Sequence, residues 1–310
     1  MNRNEVKDLI VGPLANVTTP FDHKHRVDLG RLAELTQMWV EKGLVKGRSV
    51  IKVVAVMGEN ALLRDNEWPP IVRTAVQASK GKATIACGIH YKDTLGVIED
   101  LKKAHAAGAV AAQVCAPIFN DPTQNDILRF YESLSDAVEI GIIVYNTPWM
   151  THGGINLATM KKICKLDHVI AVKWAPNPGD DYEGLFDLKD RVSIIDNTGR
   201  PMLGHKLGAR GYINQTVDAY PPHDFLIWDL MENGRYDEAQ ELYNNVNVPL
   251  KKLTVINNRV SGGVARTTKG MAALLGHSMG SMRPPSLPLG EEEIKVLREM
   301  MQGWGWPIVN

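Results

Sequence analysis

The sequence predicts a (β/α)8 (TIM) barrel with a C-terminal helical extension, on three observations. Short apolar runs alternate with amphipathic helical segments from Gly12 to Ile213, eight strand-like runs fall between those positions, and no Gly-x-Gly-x-x-Gly or phosphate-loop lysine motif follows any of them. Strands alternating with helices imply parallel pairing with right-handed crossovers. Eight units suit a closed barrel better than an open doubly wound sheet, and the missing glycine motifs weigh against a nucleotide-binding version of that sheet.

The first strand is expected at Gly12–Val17, closed by Thr18-Thr19-Pro20-Phe21. Asp28 can cap a helix whose apolar face runs Leu29, Leu32, Leu35, Met38 and Trp39 and which stops at Gly43. A Val- and Ile-rich strand at Ser49–Val56 precedes a helix at about Asn66–Ser79. Strands at Ala83–Cys87 and Val110–Cys115 flank a helix at Thr94–Ala107, and a helix near Asn125–Ala137 leads to a strand at Ile140–Tyr145. The helix Leu157–Lys165 precedes a strand at Val169–Val172, and Pro201–Leu207 bridges the last two strands, Val192–Ile195 and Gly211–Ile213. From His223 the chain reads as helices only, with long ones at Tyr236–Asn257 and Glu291–Gln302. No linker precedes this tail, so residues 1–222 are read as the barrel and 223–310 as a helical region packed on it.

Composition narrows the function classes. The 310 residues are 44% apolar and 23% charged, with 35 basic and 35 acidic side chains, so nothing draws the chain toward nucleic acid or an anionic membrane. Cys87, Cys115 and Cys164 are widely spaced in apolar surroundings and read as reduced core residues. The N-terminus lacks an apolar signal core and no run approaches the roughly 18 residues of a membrane span. A cytoplasmic protein is expected.

Barrel chemistry sits at the C-terminal ends of the strands. There, His168-Val-Ile-Ala-Val-Lys173-Trp-Ala175 places a lysine at the end of an otherwise buried run. Burial disfavours the ammonium, leaving a neutral, nucleophilic amine suited to attack on a carbonyl; a lysine snorkelling to the surface is the alternative. Tyr145 ends the preceding strand, so a phenol and an amine on adjacent strands can share the barrel mouth.

The order and spacing of these segments resemble the dihydrodipicolinate synthase and N-acetylneuraminate lyase family. The matching pieces include Gly12…Thr19-Pro20-Phe21, Gly58-Glu59-Asn60-Ala61-Leu62, Ala106-Ala107-Gly108-Ala109, Pro117-Ile118-Phe119-Asn120, Tyr145-Asn146-Thr147-Pro148, Ile170-Ala171-Val172-Lys173 and Arg283-Pro284-Pro285-Ser286-Leu287-Pro288-Leu289. The resemblance implies a class I lyase in which Lys173 forms an imine with a 2-oxo acid and Tyr145 moves protons. It implies no cofactor and no metal, small-molecule partners (a 2-oxo acid and an aldehyde), and a homo-oligomer, tetramer or dimer. Gly58 and Glu59 keep the family's turn after strand two. Where family members carry two hydroxyl residues this chain has Val56 and Met57. Ile118 and Phe119 stand where synthases have a tyrosine pair, and Trp149-Met150-Thr151 where they have an arginine.

The expected activity is therefore aldol cleavage or condensation of a pyruvate-type acid with an aldehyde, hydratase–aldolase variants included, and not dihydrodipicolinate synthesis. A 2-oxo-3-deoxy sugar acid dehydratase working through the same imine is the first alternative, and a non-catalytic oxo-acid-binding barrel the second. Thr19, Met57, Gly58, Glu59, His90, Tyr91, Asn197 and Asn214 are the expected substrate contacts, with backbone N–H groups near Met57 and Gly58 and side chains such as Thr18 available for the carboxylate. Gln215 and His152 are further candidates; Trp149, Met150, Trp174 and Phe119 either make the mouth aromatic or pack in core or interface. His205, His223 and His277 lack ligand-like spacing and read as structural.

Overall fold

The computed structural model describes residues 1–90, 92–117, 121–150 and 154–309. Tyr91, the Ile118–Asn120 segment and Thr151, His152 and Gly153 lie outside them. Eight strands, β1 (Gly12–Asn16), β2 (Val50–Val53), β3 (Thr84–Ile89), β4 (Ala111–Cys115), β5 (Gly141–Tyr145), β6 (Val169–Trp174), β7 (Ser193–Asp196) and β8 (Gly211–Ile213), pair in sequence order. All pairings are parallel, and β8 returns to β1 to close the barrel.

Strand alternation separates two cores. Inward-facing Leu14, Val50, Ala86, Ala111, Ile143 and Ile195 fill the lower barrel, while outward residues such as Val53, Ile85, Val114 and Val172 meet the surrounding helices. Helix α1 (Arg3–Asp8), which the sequence reading did not anticipate, is fixed by a capping box between Asn2 and Glu5. Its Val6, with the following Ile10, adds to the inner cluster.

Helices α2 (Leu29–Glu41), α3 (Trp68–Ala78), α4 (Thr94–Ala106), α5 (Gln124–Ala137), α6 (Leu157–Ile163) and α7 (Pro201–Leu207) fall where periodicity placed them. Asp28, Asp93, Thr123 and Asn156 cap α2, α4, α5 and α6 by accepting backbone N–H bonds. Pro176, Pro178 and Gly179 lead into the β6–β7 crossover, which carries only a 3-10 stretch, Glu183–Leu188. Strand β2 stops three residues short of the expected Val56. Val54 adopts φ +58°, and the chain turns across the mouth over Gly88, where an added Cβ would stand 2.6 Å from Ala55 Cα. Only glycine on β3 admits that crossing.

Helix α8 (Pro221–Glu232) packs on β1 and joins Val11, Tyr212 and Trp228 in one apolar cluster. It belongs to the barrel's helical ring, and the expected division at 222/223 falls inside it. Beyond it, α9 (Tyr236–Asn257), α10 (Ala265–Leu274) and α11 (Glu291–Gly303) share a further cluster around Leu250, Met271, Leu297 and Trp306. Arg283 ties this region to the mouth, pairing with Glu67 at 2.7 Å and donating to the carbonyls of His25 and Leu62.

The structural reading of the histidines fits this frame: His205 meets Glu232, His223 meets Asn247 and His277 meets the Ala219 carbonyl. All three cysteines are buried thiols, and burial pushes Cys87 and Cys164 up to about 12. No helix among the described residues is long and apolar enough to cross a membrane.

Candidate active site

Alternation along β6 sends Ala171 and Lys173 inward and Val172 and Trp174 outward. Trp174 is fully buried in the outer core, its indole N–H donating to the Tyr182 carbonyl at 3.0 Å, so it does not line the mouth. The register of β5 on β6 sets Tyr145 opposite Lys173, and the lysine Nζ lies 3.9 Å from the phenol ring centroid. Both residues are buried, at 6% and 7% exposure. Burial alone draws the Lys173 amine down to about 7, so near neutrality a large share of it carries a free lone pair. Trp149, 56% exposed, sets its ring 5.9 Å from that of Tyr145.

A polar layer surrounds the pair, built from single polar residues within otherwise apolar strands. Asn16 and Lys52 are register partners on β1 and β2. Lys52 is fully buried and donates to Gln113 Oε1. That bond orients the amide, so Gln113 Nε2 faces His90 Nε2 at 3.4 Å and the imidazole nitrogen accepts. Burial first, then the charges of Lys173 and Lys52, push His90 down to about 3; it is a neutral ring, tilted against Tyr145 at 5.9 Å. Burial, reinforced by Lys173, also drives Lys52 well below an ordinary lysine.

Above this layer opens a cavity of about 320 Å³ lined by Lys173, Tyr145, Asn16, Met57, Asn197 and Asn214, among others. Of the expected contacts, Met57, Asn197 and Asn214 line it. Asn214 is held by donation to Asp224 at 3.0 Å. His90 borders a smaller neighbouring cavity of about 170 Å³, its ring against that of Tyr145, which lines this one. Thr19 is buried below the rim and donates to the Gly58 carbonyl at 2.6 Å. Glu59, at φ +58°, turns away to pair with Lys269 at 2.6 Å. Burial raises the Glu59 carboxyl and lowers the Lys269 amine, so each holds its charge through the other. Replacing Lys269 by methionine is expected to cost ~3–5 kcal/mol in urea denaturation, because the buried carboxylate then loses its ion-pair partner.

Sequence reasoning missed Asn16, Lys52, Gln113 and the contribution of the tail. Asn16 ends β1 with its Oδ1 buried and, among the described residues, without a hydrogen-bond partner. Tyr243, Asn247 and Lys251 of α9, with Val264 just before α10, complete the cavity wall. Among the described residues no three His, Cys, Asp or Glu side chains are placed to hold a metal ion.

Carbonyl capture by a neutral strand-end amine belongs to lyases that work through a lysine imine, and fold and kinship together put the protein in that class. The chain is a member of the dihydrodipicolinate synthetase family, whose model matches residues 10–303. Among curated proteins it is 27% identical to the 4-hydroxy-tetrahydrodipicolinate synthase of Psychrobacter sp. (strain PRwf-1), over 82% of this chain and 83% of that one. It is 28% identical to the synthase of the same name from Chlorobium limicola, over 96% and 98%. Among solved structures, dihydrodipicolinate synthase from Aquifex aeolicus superposes with a TM-score of 0.84 at 24% identity, over 97% of this chain and 100% of that one. YagE from E. coli K12, solved in complex with pyruvate, gives 0.85 at 18%, over 96% and 99%. These two likenesses speak for the fold.

Proposed function

We propose that this lyase cleaves or forms the carbon–carbon bond between a pyruvate-type 2-oxo acid and an aldehyde, with Lys173 as imine nucleophile and Tyr145 as acid and base. The observation that carries the reading is the buried Lys173 amine, in register with Tyr145 and open to a cavity. The amine attacks C2 of the substrate, and Tyr145 gives its proton to the departing hydroxyl, releasing water and leaving an iminium. The phenolate takes the proton of the C4 hydroxyl as the C3–C4 bond breaks, and the electron pair of that bond passes into an enamine while an aldehyde departs. Protonation at C3 and hydrolysis return the lysine and pyruvate.

We read the reaction as distinct from 4-hydroxy-tetrahydrodipicolinate synthesis, although the curated relatives carry that name. Val56 and Met57 line the cavity without a hydroxyl between them, and the described lining holds no carboxylate to receive an amino-bearing aldehyde. Asn16, Asn197 and Asn214 offer hydrogen bonds for the substrate's oxygens. A sugar-acid dehydratase would use the same imine, and product analysis separates the two.

Pyruvate and borohydride should add a single reduced adduct to the intact mass, mapped to Lys173. With an aldehyde panel, the condensation product should exceed any product from aspartate semialdehyde. No adduct from any 2-oxo acid refutes the imine, and preferred turnover of aspartate semialdehyde refutes the distinction from the synthase. The rate of trapping should rise through pH about 7 and then level off, because neutral amine accumulates as pH passes the Lys173 value. An ordinary lysine would keep gaining to roughly pH 10.4.

A further inference from the structure

We infer that Lys251, reaching in from α9, binds an anionic group on the part of the substrate farthest from the imine carbon. This inference rests on the proposed reading of the site and names the kind of aldehyde it serves. The cavity's described lining contains two lysines, five amide side chains and no Asp or Glu. One lysine, Lys173, is deep and substantially neutral. Lys251 is exposed and makes no ion pair among the described residues, so it presents an unpaired ammonium on that wall.

It lies against the loop that follows β7. Gly199 adopts φ +78°, and a Cβ built there would stand 3.3 Å from the Tyr243 hydroxyl and 3.7 Å from Lys251 Nζ. The two α9 side chains therefore lie against the Asn197–Gly199 loop, and Asn247 lines the same cavity. The carboxylate of a 2-oxo acid is one bond from the carbon that Lys173 captures, so it stays deep. A group that meets Lys251 must come several bonds later, from the aldehyde-derived end. An ammonium there would be repelled, a neutral chain would gain nothing from the charge, and a carboxylate or phosphate would gain a charge-assisted hydrogen bond. Among the described residues, none of the loop after β5, where family synthases carry an arginine, brings a cation to this cavity; a helix of the tail does.

The test compares 2-oxoheptanedioate with 2-oxoheptanoate, acids of equal length that differ in the terminal carboxylate, by calorimetric Kd. The wild-type protein should bind the diacid about tenfold or more tightly. That ratio should fall to about one in Lys251→Gln, invert in Lys251→Glu, return in Lys251→Arg, and shrink in 1 M salt. A ratio unchanged in Lys251→Gln overturns the inference, as does a wild-type protein that does not favour the diacid. Borohydride trapping of pyruvate on the wild type is read separately. A ratio that follows Lys251 without any adduct keeps the anion site and refutes the imine, and an adduct with a ratio indifferent to Lys251 does the reverse.

Discussion

Replacing Lys173 by methionine is expected to abolish the borohydride-trapped adduct and lower kcat/KM by about 10⁴-fold or more, the scale seen when a covalent nucleophile is removed. The same change should stabilise the fold. In the native state the amine titrates at about 7, whereas in the unfolded chain it titrates near 10.4. Between those values the unfolded state binds the extra proton, so the wild type gains stability as pH rises through that window and bears the full penalty below it. Methionine fills similar volume without the penalty, and at neutral pH the gain should be on the order of a few kcal/mol. Chemical denaturation at pH 7 and pH 10 should show the advantage shrinking at the higher pH. An active methionine variant removes Lys173 from the chemistry. Turnover in the wild type that vanishes in the variant eliminates a barrel that only binds its oxo acid.

For Tyr145→Phe the expected pattern is different: the imine forms more slowly but still accumulates as a trappable adduct, while turnover falls about 10²–10⁴-fold, the range for losing a positioned acid and base. The ring beneath the Lys173 amine is retained, so the nucleophile keeps its apolar seat. What disappears is the hydroxyl that carries the proton between the departing water and the C4 oxygen. Intact mass after borohydride should still show the pyruvate adduct, while product formation from the aldol substrate is nearly lost. Full turnover by the phenylalanine variant would move the proton transfer to another group of the polar layer.

The eight strands could be located in the sequence because buried parallel strands are short apolar runs between amphipathic helices, and both signals are local. The errors fell where distant residues decide the backbone. Strand β2 ends at Val53 because the chain must cross over Gly88, and nothing within Val54-Ala55-Val56 announces β3. The reasoning that singled out Lys173 applied equally to Lys52, set among Val50, Ile51, Val53 and Val54. It was overlooked because a lysine ending a run faces a functional mouth, whereas one inside a run is noticed only when a partner such as Gln113 emerges from β4.

By itself the sequence determined the barrel, the family and the pairing of Tyr145 with Lys173, because each is written in contiguous segments and in the order of strands. Only the tertiary structure decided that Glu59 turns to Lys269, that His90 is a neutral ring behind Tyr145, and that α9 walls the cavity. Those facts come from side chains far apart in the chain that meet once the barrel closes. Burial and charge at such a meeting are properties of the assembled surroundings, and no local pattern of residues encodes them.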